Sequence, residues 1–161
     1  MILFLFFYEN DYDKFGFNLK LLKRNELNCK FIIHFDLKMA NPENYKYYNN
    51  FKIDVVGVYF AIDNLEILKK FLEVIKDKKI PFIVLSSGSS GKDVIKICKE
   101  YSFIKEIIIF CGNYKYNKHY IKDSKGYVKK VLTSINEVYQ YLKSFDKNKF
   151  QSGIKEFNEL E

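Results

Sequence analysis

The residues best suited to chemistry lie in Ser86-Ser87-Gly88-Ser89-Ser90-Gly91-Lys92-Asp93, where four hydroxyls, two glycines and a lysine fall within eight residues. Glycines let a backbone approach an anion closely, and the hydroxyls and Lys92 would add donors, so this stretch is a candidate phosphate or nucleotide loop. It is not a Walker A motif: two residues separate Gly88 from Gly91-Lys92, where that loop has four and then a Ser or Thr. G-x-G-x-x-G is absent as well. The plainer alternative, which we weigh more heavily, is a helix start with Ser90 as the cap, Asp93 closing a capping box and the glycines turning the chain.

Other groups invite chemical readings. Cys111 precedes Gly112 and could act as a nucleophile with His119 as its base, although a free cysteine at the end of an apolar run is more often a small core residue. His34 sits inside an apolar run and reads as a core histidine. Cys29, Cys98 and Cys111 are three in number, without C-x-x-C spacing, so we expect no metal site and a reducing compartment. Tyr114, Lys115, Tyr116, Lys118, His119 and Tyr120, followed by Lys122, Lys125, Lys129 and Lys130, interleave rings with positive charge. Single-stranded nucleic acid or an acidic protein surface would use that mixture; the plain alternative is a solvated loop.

The elements that must position these groups follow from hydrophobic period. Met1–Tyr8, Cys29–Leu37, Ile53–Ala61, Ile80–Leu85, Ile104–Cys111 and Val128–Leu132 read as strands, several of them apolar on both sides as buried parallel strands are. Residues 17–24 suggest a short helix, and residues 41–50 a loop or a single helical turn. Asp63 is expected to cap a helix, with Glu66 three residues on, whose buried stripe is Leu65, Leu68, Phe71, Leu72 and Ile75. The helix after Gly91 would bury Val94, Ile97, Cys98 and Tyr101. Gly112–Tyr127 reads as a long polar loop, and Ser134 with Glu137 as a capping box for a helix burying Ile135, Val138, Tyr139, Leu142 and Phe145.

Strands alternating with amphipathic helices imply a three-layer α/β/α sandwich with a mostly parallel sheet of five or six strands, flavodoxin-like or Rossmann-like. We expect one domain over residues 1–150, with 151–161 a polar extension that can form a helix. In such a sheet the carboxyl ends of the strands share one edge. That edge would collect Glu9 and Asp11, Asp36, Asp63, the Ser86–Lys92 stretch and Cys111–Asn113, suiting phosphate, nucleotide or divalent-metal binding.

Two phosphotransfer folds share part of this layout. A response-regulator receiver has acids after its first strand, a phosphoacceptor Asp after the third, a Ser or Thr after the fourth and a Lys after the fifth. Glu9, Asp11, Asp63 and Ser86 or Ser87 match, but Cys111-Gly112-Asn113 stands at the lysine position. A haloacid-dehalogenase-like phosphatase has two aspartates two apart, whereas position 65 is Leu and no paired acids follow the later strand; FIVLSSGS resembles that family's second motif. Neither pattern is complete, and no family is assigned.

The formal net charge is +7, from 27 basic and 20 acidic residues, and Arg24 is the only arginine. The composition is rich in lysine, asparagine, isoleucine, phenylalanine and tyrosine, all residues with A/T-rich codons, so codon bias is an alternative to a selected positive charge. The scarcity of guanidinium forks argues against base reading. The apolar amino-terminal run is too short for the ~20 residues of a membrane span and lacks signal-peptide flanks, so a cytoplasmic protein is expected. The reading favoured by the incomplete motifs is a non-catalytic regulatory or protein-interaction domain, a module of a larger assembly or chain. The alternatives are a small phosphate- or nucleotide-binding enzyme at the strand edge and nucleic-acid binding through the Tyr/Lys stretch. No cofactor is indicated.

Overall fold

The computed structural model describes residues 3–7, 30–39, 41, 57–78 and 81–144. Six strands, β1 (Leu3–Phe7), β2 (Lys30–Phe35), β3 (Gly57–Ile62), β4 (Phe82–Ser87), β5 (Ile104–Phe110) and β6 (Val128–Leu132), form one sheet in the order β1-β3-β2-β4-β5-β6. Every neighbouring pair is parallel. Parallel neighbours require crossovers, and the described ones are α1 (Leu65–Ile75), α2 (Gly91–Cys98) and the short pair α3 (Tyr114–Asn117) and α4 (His119–Asp123), with α5 (Ile135–Ser144) after β6.

Side chains alternate across the sheet and divide it into two apolar layers. On one face Phe31, Ile33, Phe35, Phe60, Phe82, Val84, Ile107 and Ile109 meet α1 and α2. On the other, Ile32, Ala61, Ile83, Leu85 and Ile108 meet Met39 and, from α5, Val138 and Leu142. Helices therefore cover both faces, as the α/β/α reading expects.

The first layer is dominated by aromatic rings. Phe82 sits among Phe31, Phe60, Phe71 and Phe103 with ring centroids 5.4, 5.7, 6.0 and 6.2 Å away. Tilted and edge-on arrangements of this kind add to the burial of large apolar area. In the second layer the buried carboxylate of Glu106 accepts a 2.6 Å hydrogen bond from the Tyr141 hydroxyl, which ties α5 to β5 and satisfies a polar group that would otherwise be costly inside.

Local details correct several expectations. The cap of α1 is Asn64, not Asp63: Asn64 is extended (φ −138°, ψ 134°) and its Oδ1 accepts from Glu66 N at 2.8 Å and Ile67 N at 3.3 Å. Glu66 is thereby the second helical residue, too early to close a box, and it pairs instead with Lys69 at 2.7 Å. The buried stripe accordingly includes Ile67 beside Leu68, Phe71, Leu72 and Ile75, while Leu65 is half-buried. Ser90 and Asp93 form no capping box. A 3₁₀ turn over Gly88–Ser90 precedes α2, and Ser90 already has helical backbone angles with no side-chain cap bond.

Of the α2 stripe, Val94 and Cys98 are buried, and Ile97 and Tyr101 are partly so. The expected long polar loop after Gly112 is the two short helices α3 and α4 and a turn in which Gly126 has φ 93°. The Ser134–Glu137 box is formed reciprocally, with Ser134 N donating to Glu137 Oε2 at 3.0 Å and Glu137 N to Ser134 Oγ at 3.2 Å. The helix suggested at 17–24, the connection at 41–50 beyond Asn41, Phe145 and the boundary near Phe150 lie outside the described residues. Among the described residues no helix is long and apolar enough to cross a membrane.

Phe71 is fully buried beside Phe60, ring centroids 4.8 Å apart, and Phe82. Phe71→Ala is expected to lower unfolding free energy by ~3–5 kcal/mol in urea titration; near-neutral stability would contradict the docking of α1 on the sheet.

Candidate functional site

The outgoing connections of the adjacent strands β2 and β4 run in opposite directions. From β2 the chain moves to β3 on one side, and from β4 it moves to β5 on the other, while β2 and β4 are themselves neighbours. Connections that leave two adjacent parallel strands in opposite directions leave a crevice beyond the strands' carboxyl ends, the usual ligand position in open α/β sheets. An open cleft of about 440 Å³ lies there. His34, Asp36 and Lys38 line it from the end of β2, Ser87, Gly88 and Ser89 from the end of β4, and Phe110 through Asn113 with Asn117 from beyond β5. The period of two explains the set: His34, Ser87 and Phe110 continue the rows of Ile32, Leu85 and Ile108 on the α5 face of the sheet.

Each wall is held by local bonds. Asp36 Oδ1 accepts from Lys38 N at 2.9 Å and Asp36 O from Met39 N at 3.0 Å, folding the chain into a tight turn directly after β2. Phe35 pairs with Ser86 in the sheet, so Asp36 and Ser87 leave neighbouring strands side by side. The Ser87 hydroxyl donates to Ser90 Oγ at 3.0 Å and lies 3.4 Å from Ser89 Oγ. Across from them Asn113 caps α3, its Oδ1 accepting from Tyr116 N at 3.1 Å, and Asn117 Nδ2 donates to Asn113 O at 2.8 Å.

The glycines of the serine-rich turn serve contacts within the protein. A Cβ on Gly88 would stand 2.7 Å from Cys111 Cβ and 2.8 Å from Asn117 Oδ1, and one on Gly91 would stand 3.0 Å from the Tyr120 ring. The Tyr120 hydroxyl also donates to Gly88 O at 3.2 Å. The turn is thus clamped between β5 and α4, with its serine side facing the cleft.

His34 is 3% exposed, and burial lowers its pKa to about 3, so it lines the cleft as a neutral imidazole at physiological pH. Burial pushes the Cys98 thiol up to about 12, which makes it a core group rather than a nucleophile. Among the described residues that line the cleft, the charged groups are the Asp36 carboxylate and the exposed Lys38 ammonium, with the positive end of the α2 dipole behind the turn.

Of the candidate anion-site residues, Ser87, Gly88 and Ser89 line the cleft. Ser86 is fully buried, its hydroxyl donating to Ser87 O at 3.1 Å, and Ser90 is buried behind Ser87. Gly91 packs on Tyr120. Lys92 lines a separate groove of about 360 Å³ with Ile95, His119 and Tyr120. Asp63, at the end of β3, is not among the cleft residues, and Glu9 and Asp11 lie outside the described residues. His119 is not brought to Cys111: its Nδ1 lies 2.8 Å from Tyr116 O, while Cys111 Sγ donates to Asn113 O at 3.5 Å. Among the described residues no group of three or more His, Cys, Asp or Glu could hold a metal ion.

Cys111, Gly112 and Asn113 line the cleft from the edge on which the sequence sets them, whereas Lys38 and Asn117 are cleft residues that hydrophobic period does not single out. Hydrophobic period alone gives His34 as a core residue and sets Asp36 on the shared edge without saying which of the groups there stands beside it. The signal that joins them is strand order, which hydrophobic period does not contain. A third groove, about 460 Å³ between α1 and α2, is rimmed by charged side chains over Leu65, Ile97 and Tyr101 and holds no candidate catalytic group. No protein-family model, curated protein or solved structure matches the chain.

Because His34 is neutral when folded and has its ordinary pKa of 6.5 when unfolded, the unfolded state binds the extra proton between pH 6.5 and about 3. Its contribution is fully present above pH 6.5 and falls by about 1.4 kcal/mol per pH unit below it. Urea unfolding from pH 7 down to 4 is expected to show a shallower pH dependence for His34→Leu than for wild type; equal slopes would show that His34 titrates normally in the folded protein.

Proposed function

We propose that this chain is a non-catalytic regulatory or protein-interaction α/β domain, a module of a larger assembly, controlled by a small phosphate-bearing ligand in the cleft between β2 and β4. The observation that carries the reading is the position of that cleft where the outgoing connections of β2 and β4 run in opposite directions, with the serine-rich turn and Lys38 as donors.

Counted from β2, the strands run 2-1-3-4-5, the order of flavodoxin-like sheets, with β1 added beyond β3. In this frame the receiver layout falls on different residues from those obtained by counting from β1. Asp36 takes the acid position after the first strand, Ser87 the phosphoacceptor position after the third, Cys111 the hydroxyl position and Thr133 the lysine position. A hydroxyl bonded to Ser90 replaces the acceptor carboxylate, which supports ligand sensing over phosphoryl transfer. Free Cys98 and Cys111 suit a reducing, cytoplasmic setting.

The test is thermal stability with phosphate, ATP, GTP, NAD and FMN, each with and without Mg²⁺, on wild type, Lys38→Ala and Lys92→Ala. A ligand at ~100 times its dissociation constant stabilises by about 2.7 kcal/mol. We expect one phosphate compound to stabilise wild type and Lys92→Ala and to lose most of its effect in Lys38→Ala. Stabilisation by none of them would overturn the ligand half of the reading, and phosphate release abolished by Asp36→Asn would overturn the non-catalytic half.

A further inference from the structure

The segment from Tyr114 to Lys130 has a feature that the cleft does not explain. It carries six lysines and a single aspartate in seventeen residues of a chain whose net charge is +7. Lys115, Lys118, Lys122, Lys125, Lys129 and Lys130 are all exposed, and none has a carboxylate partner among the described residues. On α1 and directly after it, by contrast, Lys69 and Lys76 are matched to Glu66 and Glu73 at 2.7 and 2.6 Å.

Large rings stand among these charges. Tyr116 is 78% exposed, Tyr114 47% and Tyr127 42%. The segment is nonetheless held in place: Asn113 caps α3, Tyr120 is bonded to Gly88 O, and the buried Ser124 hydroxyl accepts from Val128 N at 2.9 Å. A fixed support means that little ordering is needed when a partner binds.

Lys129 and Lys130 lie on β6, an edge strand of the sheet, where lysines discourage edge-to-edge pairing. That role does not extend to the lysines and exposed rings of α3 and α4. From the charge complementarity and the exposed π-faces we infer that this surface is a platform for single-stranded nucleic acid, with phosphates on the lysines and an unpaired base stacked on Tyr116. Duplex bases are already stacked and would not offer that face. The segment has no arginine fork, so the binding is tolerant of sequence.

The experiment is fluorescence anisotropy of labelled oligo-dT and oligo-rU of ~20 nucleotides, titrated with the full chain across a salt series, with unlabelled polyglutamate and a DNA duplex as competitors. Expected are a log–log salt slope of about −0.7 for each phosphate contact, at least a fivefold weaker Kd for Tyr116→Ala, wild-type affinity for Tyr116→Phe, and poor competition by polyglutamate and duplex. Tyr116 is so exposed that both variants should fold, which far-ultraviolet circular dichroism checks. No binding at low salt, an unchanged Kd for Tyr116→Ala, or polyglutamate competing as well as oligo-dT would each overturn the inference, the last in favour of an acidic protein surface.

Discussion

The parallel pairing of β2 with β4 is the contact on which the other features depend. These strands are not consecutive, so the chain must pass through β3 and α1 before it returns to lie beside β2. Phe31 and Phe82, one from each strand, pack with ring centroids 5.4 Å apart and hold the pair from the α1 face, while Ile32, Ile83 and Leu85 hold it from the α5 face. Both faces being buried, a slip of one residue would turn each apolar row toward the wrong layer. The fixed register places Asp36 beside Ser87, and the opposite directions of the outgoing connections keep the space beyond them open.

The serine-rich turn meets two demands at once. Its glycines are set by neighbours inside the protein, Cys111 and Asn117 at Gly88 and Tyr120 at Gly91, with contacts too short for a side chain to enter without displacement. Its serines form a small hydroxyl cluster at the cleft. Clamping the turn from behind fixes the cleft wall before any ligand arrives, and the same Tyr120 bond anchors the lysine-rich helices. Cleft and basic surface thus share one support.

Much of the fold was legible in the sequence, because period and caps are local. Val128–Leu132 was read as a strand with the bounds it has, and the Ser134–Glu137 box closes as its spacing implied. The apolar stripe of α1 is legible in four of its five buried positions; anchoring it on Leu65, which is half-buried, leaves out Ile67, four residues before Phe71. The short helices after Gly112 were not legible: each spans about one turn and packs on β6, the first with the Asn113 cap, rather than following an apolar repeat. The cleft was least legible, since it depends on which strands are neighbours. Lys92 follows the glycines directly, yet helix α2 carries it to another groove, while Lys38, more than fifty positions earlier, reaches the cleft.

The most direct test of the account is a ¹H–¹⁵N correlation titration of the isotopically labelled chain with the phosphate compound that stabilises it most, or with inorganic phosphate. The account predicts that the largest shift changes fall on Asp36 to Lys38, Ser87 to Ser90 and Gly112 to Asn113, converging from three separate strand ends on one cleft. Shifts centred on the groove between α1 and α2, or confined to Lys92 and its neighbours, would contradict it.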